Sequence, residues 1–121
     1  MAYDVDVRGL TLPAAANLSS NLFYLGIVNA SGQVAVQVSA GGPVDGVIYS
    51  NTPGAGLPVE FITNAAAVKV AAGAAVAVGD TLECDATGRV ITWASGDKIG
   101  KALAAASGAG VIIPIIPHFQ S

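Results

Sequence analysis

Charge is what this sequence has least of. Asp, Glu, Lys and Arg make up 11% of its 121 residues, against about 25% in an average soluble protein. None of them occurs from Gly9 to Val44. A surface so poor in charge is badly protected against association, so much of it is expected to be covered by other protein chains. The net charge is −3, and the five Lys and Arg residues are scattered. Scattered cations build no phosphate-binding stripe, which argues against direct nucleic-acid binding.

Other absences narrow the reading further. Cys84 is the one cysteine, so no intrachain disulfide can form. It follows Leu82 by two in a strand-like run, which predicts a small, buried and inert side chain. His118 is the one histidine, and alone it does not suggest a metal site. No run of 18 purely apolar residues occurs, and the nearest, "ALAAASGAGVIIPIIP", is broken by Gly and Pro, so no membrane span is expected. The opening "MAYDVDVRG" is acidic and has no apolar core, unlike a signal peptide. A soluble protein made in a cytoplasm is expected. No G-x-S-x-G elbow, P-loop or dinucleotide fingerprint occurs, and the acidic residues do not pair at a useful separation. Neither an enzyme nor a bound cofactor is expected.

Short apolar runs are there in abundance. Hydrophobic residues reach 53%, enough for a core. They alternate with Gly, Pro, Asn, Asp and Ser clusters every 8 to 12 residues or so, the pattern of an all-β domain. Val34, Val36 and Val38 alternate with Ala35 and Gln37, which predicts three valines on one strand face. "LPVEFI" puts Leu57, Val59 and Phe61 on one face, with Pro58 forcing an edge position or a start after the proline. "VKV" sends Val68 and Val70 inward and Lys69 outward. "TLEC" and "RVITW" flank the turn "DATG", and "VIIPII" closes the domain. Alanine runs at 14–16, 65–67 and 71–75 allow at most short helical turns.

The chain also repeats itself. "NASGQV" at 29–34 returns as "DATGRV" at 85–90. Gly32 and Gly88 lie 56 apart, whereas Gly46 and Gly100, and Gly54 and Gly108, lie 54 apart. Residues 29–62 therefore lie over the second copy within residues 83–116, Asn29 over Asp85, with two residues fewer in the second copy. The expected architecture is a compact β-barrel or β-sandwich built from two similar turn-and-strand halves. The matching glycines Gly32, Gly46, Gly88 and Gly100 are expected as turn residues with positive φ, and Gly79 is expected as a turn residue. Asp80 and Asp97, each following a glycine at a predicted turn, are expected to bond backbone amides, and Asp85 is expected as a turn residue.

The stretch "GAAVAVGDTLECDATGRVITWASGDKIGKALAAASGAGVIIPII" resembles the capsid decoration, or cement, proteins of tailed bacteriophages. The resemblance rests on Val76, Gly79, Asp80, Leu82, Asp85, Gly88, Arg89, Val90, Gly96, Asp97, Gly100, Ala102 and Gly110. It covers about Gly42 to Pro117 and departs in spacing at Lys98 and Ile99. It implies a virion protein on the outer capsid surface, a homotrimer that bridges neighbouring major capsid protein subunits. No reaction is implied. A carbohydrate-binding or adhesin module is the alternative and would need solvent-facing aromatics among Trp93, Tyr3, Tyr24 and Tyr49. "VKVAAGAAVAVGDTLECD" also has the cadence of lipoyl and biotinyl carrier domains, but Lys69, Lys98 and Lys101 lack the context of an attachment lysine.

Residues 1–16 lie outside the repeat and read as an N-terminal arm, with 17–121 as a single β domain. Tyr3, Val5 and Val7 alternate with Asp4, Asp6 and Arg8, as on a strand with one apolar face. Together with Leu10 and Leu12 they are expected to grip the capsid or a neighbouring subunit by strand addition. "LTLPAAANLSS" reads as the connector. The alternative is a first strand of the protein's own barrel.

Overall fold

The structure, a computed structural model, describes residues 9–119. It is all-β, with no helix among the described residues. The first half contributes strands β1 (Gly9–Pro13), β2 (Leu25–Val28), β3 (Val34–Val36), β4 (Gly46–Ile48) and β5 (Pro58–Ile62). The second contributes β6 (Val68–Ala71), β7 (Thr81–Cys84), β8 (Val90–Thr92), β9 (Gly100–Ala102) and β10 (Ile112–Pro117). Each set forms one five-stranded antiparallel sheet, and the two sheets pack together as a compact β-sandwich.

The strand orders are β1-β5-β4-β2-β3 and β6-β10-β9-β7-β8, the same order twice. The registers match as well. Leu12 faces Val59 as Val70 faces Ile113. Gly26 faces Gly46 as Leu82 faces Gly100. Each sheet curls until its edges meet, through parallel bridges from Ala14 to Val34 and from Ala72 to Val90. The repeat therefore spans all ten strands, and β1 and β6 belong to it.

Inside the curl of the first sheet, Ala14, Leu18, Val34, Ile48, Val59 and Phe61 form one core cluster. The opposite face of that sheet sends Leu25 and Val47 into the larger cluster of the second half, with Ile62 packed against it. Because the first sheet is covered on both faces, β4 is buried at all three positions, which erases the alternation seen in one-sided strands. The corresponding face of the second sheet carries Thr81, Lys101 and Ile116, and Lys101 and Ile116 are exposed.

Several sequence expectations are corrected. Leu10 to Pro13 are not a connector but strand β1 of the chain's own sheet, because β5 offers a free edge with matching register. Val38 does not share a buried face with Val34: β3 ends at Val36, Gln37 turns inward and Val38 is exposed. Pro58 is neither on an edge strand nor excluded from β5. It is the first residue of that strand, which lies between β1 and β4, a place where a missing N–H costs little. Leu57 lies before the strand and is exposed.

Candidate docking surface

The last strand builds the surface. β10 alternates exposed and buried residues: Ile113 and Ile115 point into the core, while Ile112, Pro114 and Ile116 point out. A strand of this kind would normally carry polar residues on its outer face. Here the outward residues are apolar, with Ile112 at 42% and Ile116 at 46% exposure. Register sets Lys69 of β6 beside Pro114 and Lys101 of β9 beside Ile116. Leu103 follows, 44% exposed, its N–H donating to Pro114 O at 3.0 Å. The matching strip on the first sheet has Glu60 in place of Pro114, and Thr11 Oγ1 donates to the Glu60 carboxylate at 2.9 Å.

Beside this strip a loop is held rigid from below. Glu83 lies on the outer face of β7, yet it is buried. Its Oε1 accepts the N–H groups of Ala94, Ser95 and Gly96 at 3.1, 3.1 and 2.8 Å. Those amide bonds, Ala94 and Gly96 above all, hold the carboxyl below its ordinary pKa against the opposing effect of burial. Above the loop, Trp93 Nε1 donates to Gly96 O at 2.7 Å. The Lys98 ammonium lies 4.7 Å from the Trp93 ring centroid, a cation–π contact. Gly96, Asp97, Lys98 and His118 line a shallow cleft there. The three lysines of the chain, Lys69, Lys98 and Lys101, thus border one apolar face of a protein with net negative charge.

The residues singled out from sequence fall in several places. Tyr3, Val5 and Val7 lie outside the described residues. Leu10 and Leu12 lie on β1, Leu10 exposed and Leu12 packed against the first-sheet core. Asp85 Oδ1 accepts from the Thr87 and Arg89 amides at 2.8 and 3.0 Å. Asn29 Oδ1 does the same for Ser31 and Gln33 at 2.9 and 3.0 Å. Asp80 Oδ2 accepts from the Ala77 amide and from Thr92 Oγ1. Gly32, Gly79 and Gly88 have positive φ, at 75°, 87° and 85°.

Gly46 and Gly100 correct the expectation. They sit in strands without positive φ, and what requires glycine is close approach. A Cβ would lie 2.6 Å from Ile62 O at Gly46 and 2.5 Å from Ile116 O at Gly100. Cys84 is free and fully buried. Burial, aided by the neighbouring Asp85 carboxylate, pushes its thiol up to about 12.

Sequence reading missed Glu83 and the Ile112–Pro114–Ile116 face. The signal for the face was present in "VIIPII": a strand with isoleucines on both sides has no polar face to give to water. Among the described residues, no group of three or more His, Cys, Asp or Glu side chains is placed to hold a metal ion. No helix there is long and apolar enough to cross a membrane.

No protein-family model matches the chain, and no curated protein shows significant sequence similarity to it.

Proposed function

We propose that this protein is a structural virion protein, a capsid decoration protein of a tailed bacteriophage. It binds the outer surface of the assembled shell and stabilises it by bridging neighbouring major capsid protein subunits. The observation that carries this reading is the apolar outer face of β10. Ile112, Pro114, Ile116 and Leu103 form an exposed apolar strip on a rigid two-sheet body, and such strips mark association surfaces. The sequence resemblance to cement proteins supplies the identity of the partner.

The physics of stabilisation is linkage. A protein that binds the assembled lattice, and not the free subunit, shifts the equilibrium towards the lattice. Trimeric assembly, which the resemblance implies, lets three modest contacts act together. The test is co-sedimentation with empty shells assembled from the major capsid protein of the same phage. The wild-type protein binds the shells and raises their melting temperature. Ile112→Glu with Pro114→Glu stays folded, since the first sheet already carries Glu60 at the position of Pro114, and does not bind. Failure of the wild-type protein to bind such shells refutes the reading.

One observation favours the glycan-binding alternative. Trp93 is partly exposed beside the cleft of Asp97, Lys98 and His118. Lys98 already occupies one of its ring faces, leaving a single face for stacking. A glycan panel separates the two readings.

A further inference from the structure

The two halves share one fold but not one environment. The second-half turn, Asp85 to Arg89, is seated against the first half. Leu25 N–H donates to Gly88 O at 2.7 Å, and Gly41 N–H donates to Cys84 O at 2.7 Å. A Cβ built on Gly88 would collide with Val36 Cγ1. The matching first-half turn, Asn29 to Gln33, is open. Among the described residues a Cβ on Gly32 would meet nothing within 4 Å. Val28, the counterpart of fully buried Cys84, is 37% exposed.

The seat is duplicated too. Leu25, Val36 and Gln37 correspond to Thr81, Thr92 and Trp93. Gln37 N–H donates to Leu25 O at 3.0 Å, and Trp93 N–H donates to Thr81 O at 2.7 Å. Gly88 O meets the Leu25 amide, but among the described residues no turn meets the Thr81 amide in that way. Among the described residues, one chain therefore contains a seated turn, an open turn and an open seat.

We propose that the Asn29–Gln33 turn of one copy docks on the Thr81, Thr92 and Trp93 seat of a second copy of this chain. The contact repeats, head to tail, the one the two halves make within the chain. It rests on the unequal environments of the halves and not on the capsid reading. Gly32 O accepts the Thr81 N–H, and Thr92 lies under Gly32 as Val36 lies under Gly88. Neither the turn nor these three seat residues carry charge, so docking desolvates polar groups that regain a hydrogen bond. The contact between copies is smaller than the internal one. Thr81 and Lys101 replace Leu25 and Val47, which are buried in the single chain. Association is therefore reversible and concentration-dependent. Being heterologous, it grows until a ring closes or a filament forms.

The test is light-scattering mass of the full-length protein over a concentration series, with two variants. Gly32→Asn keeps the fold, because Asn tolerates left-handed backbone and its Cβ has open space. In the docked state the same Cβ strikes the seat. Thr92→Arg blocks the seat from the other side, giving up one bond to Asp80. The wild-type mass rises above the 11.9 kDa monomer with concentration, and each variant stays monomeric with an unchanged circular dichroism spectrum. Mixed, the variants form a one-to-one heterodimer and nothing larger, since one supplies the intact seat and the other the intact turn. A monomeric wild type at every concentration overturns the proposal. So does assembly that survives both substitutions, or a mixture that fails to pair. If Thr92→Arg does not fold, Gly32→Asn alone decides: retained assembly refutes and lost assembly supports.

Discussion

Phe23 stands where the second half has Gly79, and both residues have positive φ, 70° and 87°. The bonding is the same in each: Phe23 N–H donates to Ile48 O at 2.7 Å and Gly79 N–H to Ala102 O at 2.8 Å. Phe23 is the one non-glycine residue with positive φ among the described residues. Its ring meets Tyr49 edge-on, with centroids 5.1 Å apart. Left-handed backbone costs an L-residue about 1–2 kcal/mol, and the aromatic contact returns about 0.5–1.5 kcal/mol beyond burial. The two effects nearly cancel, which accounts for the tolerance of Phe at this bend.

A reversal of the usual ranking follows. Phe23→Ala loses the ring and keeps the strain, whereas Phe23→Gly loses the ring and relieves it. Phe23→Gly should be the more stable variant by about 1 kcal/mol, read from denaturant midpoints. A more stable Phe23→Ala would show that the bend carries no strain.

The paired turns separate backbone strain from packing. Gly32 and Gly88 have similar φ, yet only Gly88 is crowded. Gly32→Ala should cost about 1 kcal/mol, the strain alone. Gly88→Ala should cost at least about 2 kcal/mol, since Val36 or the turn must also move. Equal losses in thermal or urea unfolding would mean that the second-half turn is not seated.

The middle of the repeat was legible in sequence, because a turn depends on a few local residues. Asn29, Ser31, Gly32 and Gln33 match Asp85, Thr87, Gly88 and Arg89 in both type and role. The ends were not legible. Leu10 matches Val68 and Leu12 matches Val70 at a spacing of 58, the first turns match at 56 and the later strands at 54. A fixed period finds only part of such a repeat, and β1 was read as an arm for that reason. The burial of Leu25 and Val47 on the outer face of the first sheet depends on the second half lying there, which alternation within one strand does not encode. Glu83 was hidden in the same way. Its neighbours Leu82 and Cys84 point inward, so alternation gives Glu83 to solvent. The loop that covers it is made of small residues whose side chains leave no signal.

Glu83 links the loop to pH. Its pKa is lowered in the folded state, so its contribution is present above the unfolded value near 4.5. That contribution is lost as pH falls through the folded pKa. Glu83→Gln retains an acceptor but gives up the charge, at a cost of about 1–2 kcal/mol near neutral pH. The gap between wild type and variant in urea midpoint should be widest near pH 6 and narrow below pH 4.5. A gap that persists unchanged into acid would mean that the carboxylate charge does not hold the loop.

Cys84 provides the opposite slope. Its thiol is pushed up to about 12 in the folded chain from an ordinary value of 9.0, because burial disfavours the thiolate. The folded state thus holds the thiol proton more tightly than the unfolded state. Stability tied to it is complete below pH 9.0 and is lost as pH rises towards 12. The buried neutral thiol should also react slowly with a thiol reagent at pH 8, and quickly once the chain is unfolded. Cys84→Ala removes a small group from the core and should cost about 1–2 kcal/mol at pH 7. The deficit should then shrink above pH 9, since the variant has no thiol to ionise, and shell binding should persist because the residue touches no exposed face. Rapid modification of the native thiol at pH 8 would show that the segment at Gly41, whose N–H donates to Cys84 O, does not cover β7. The seated turn on which the head-to-tail contact is patterned would fall with it.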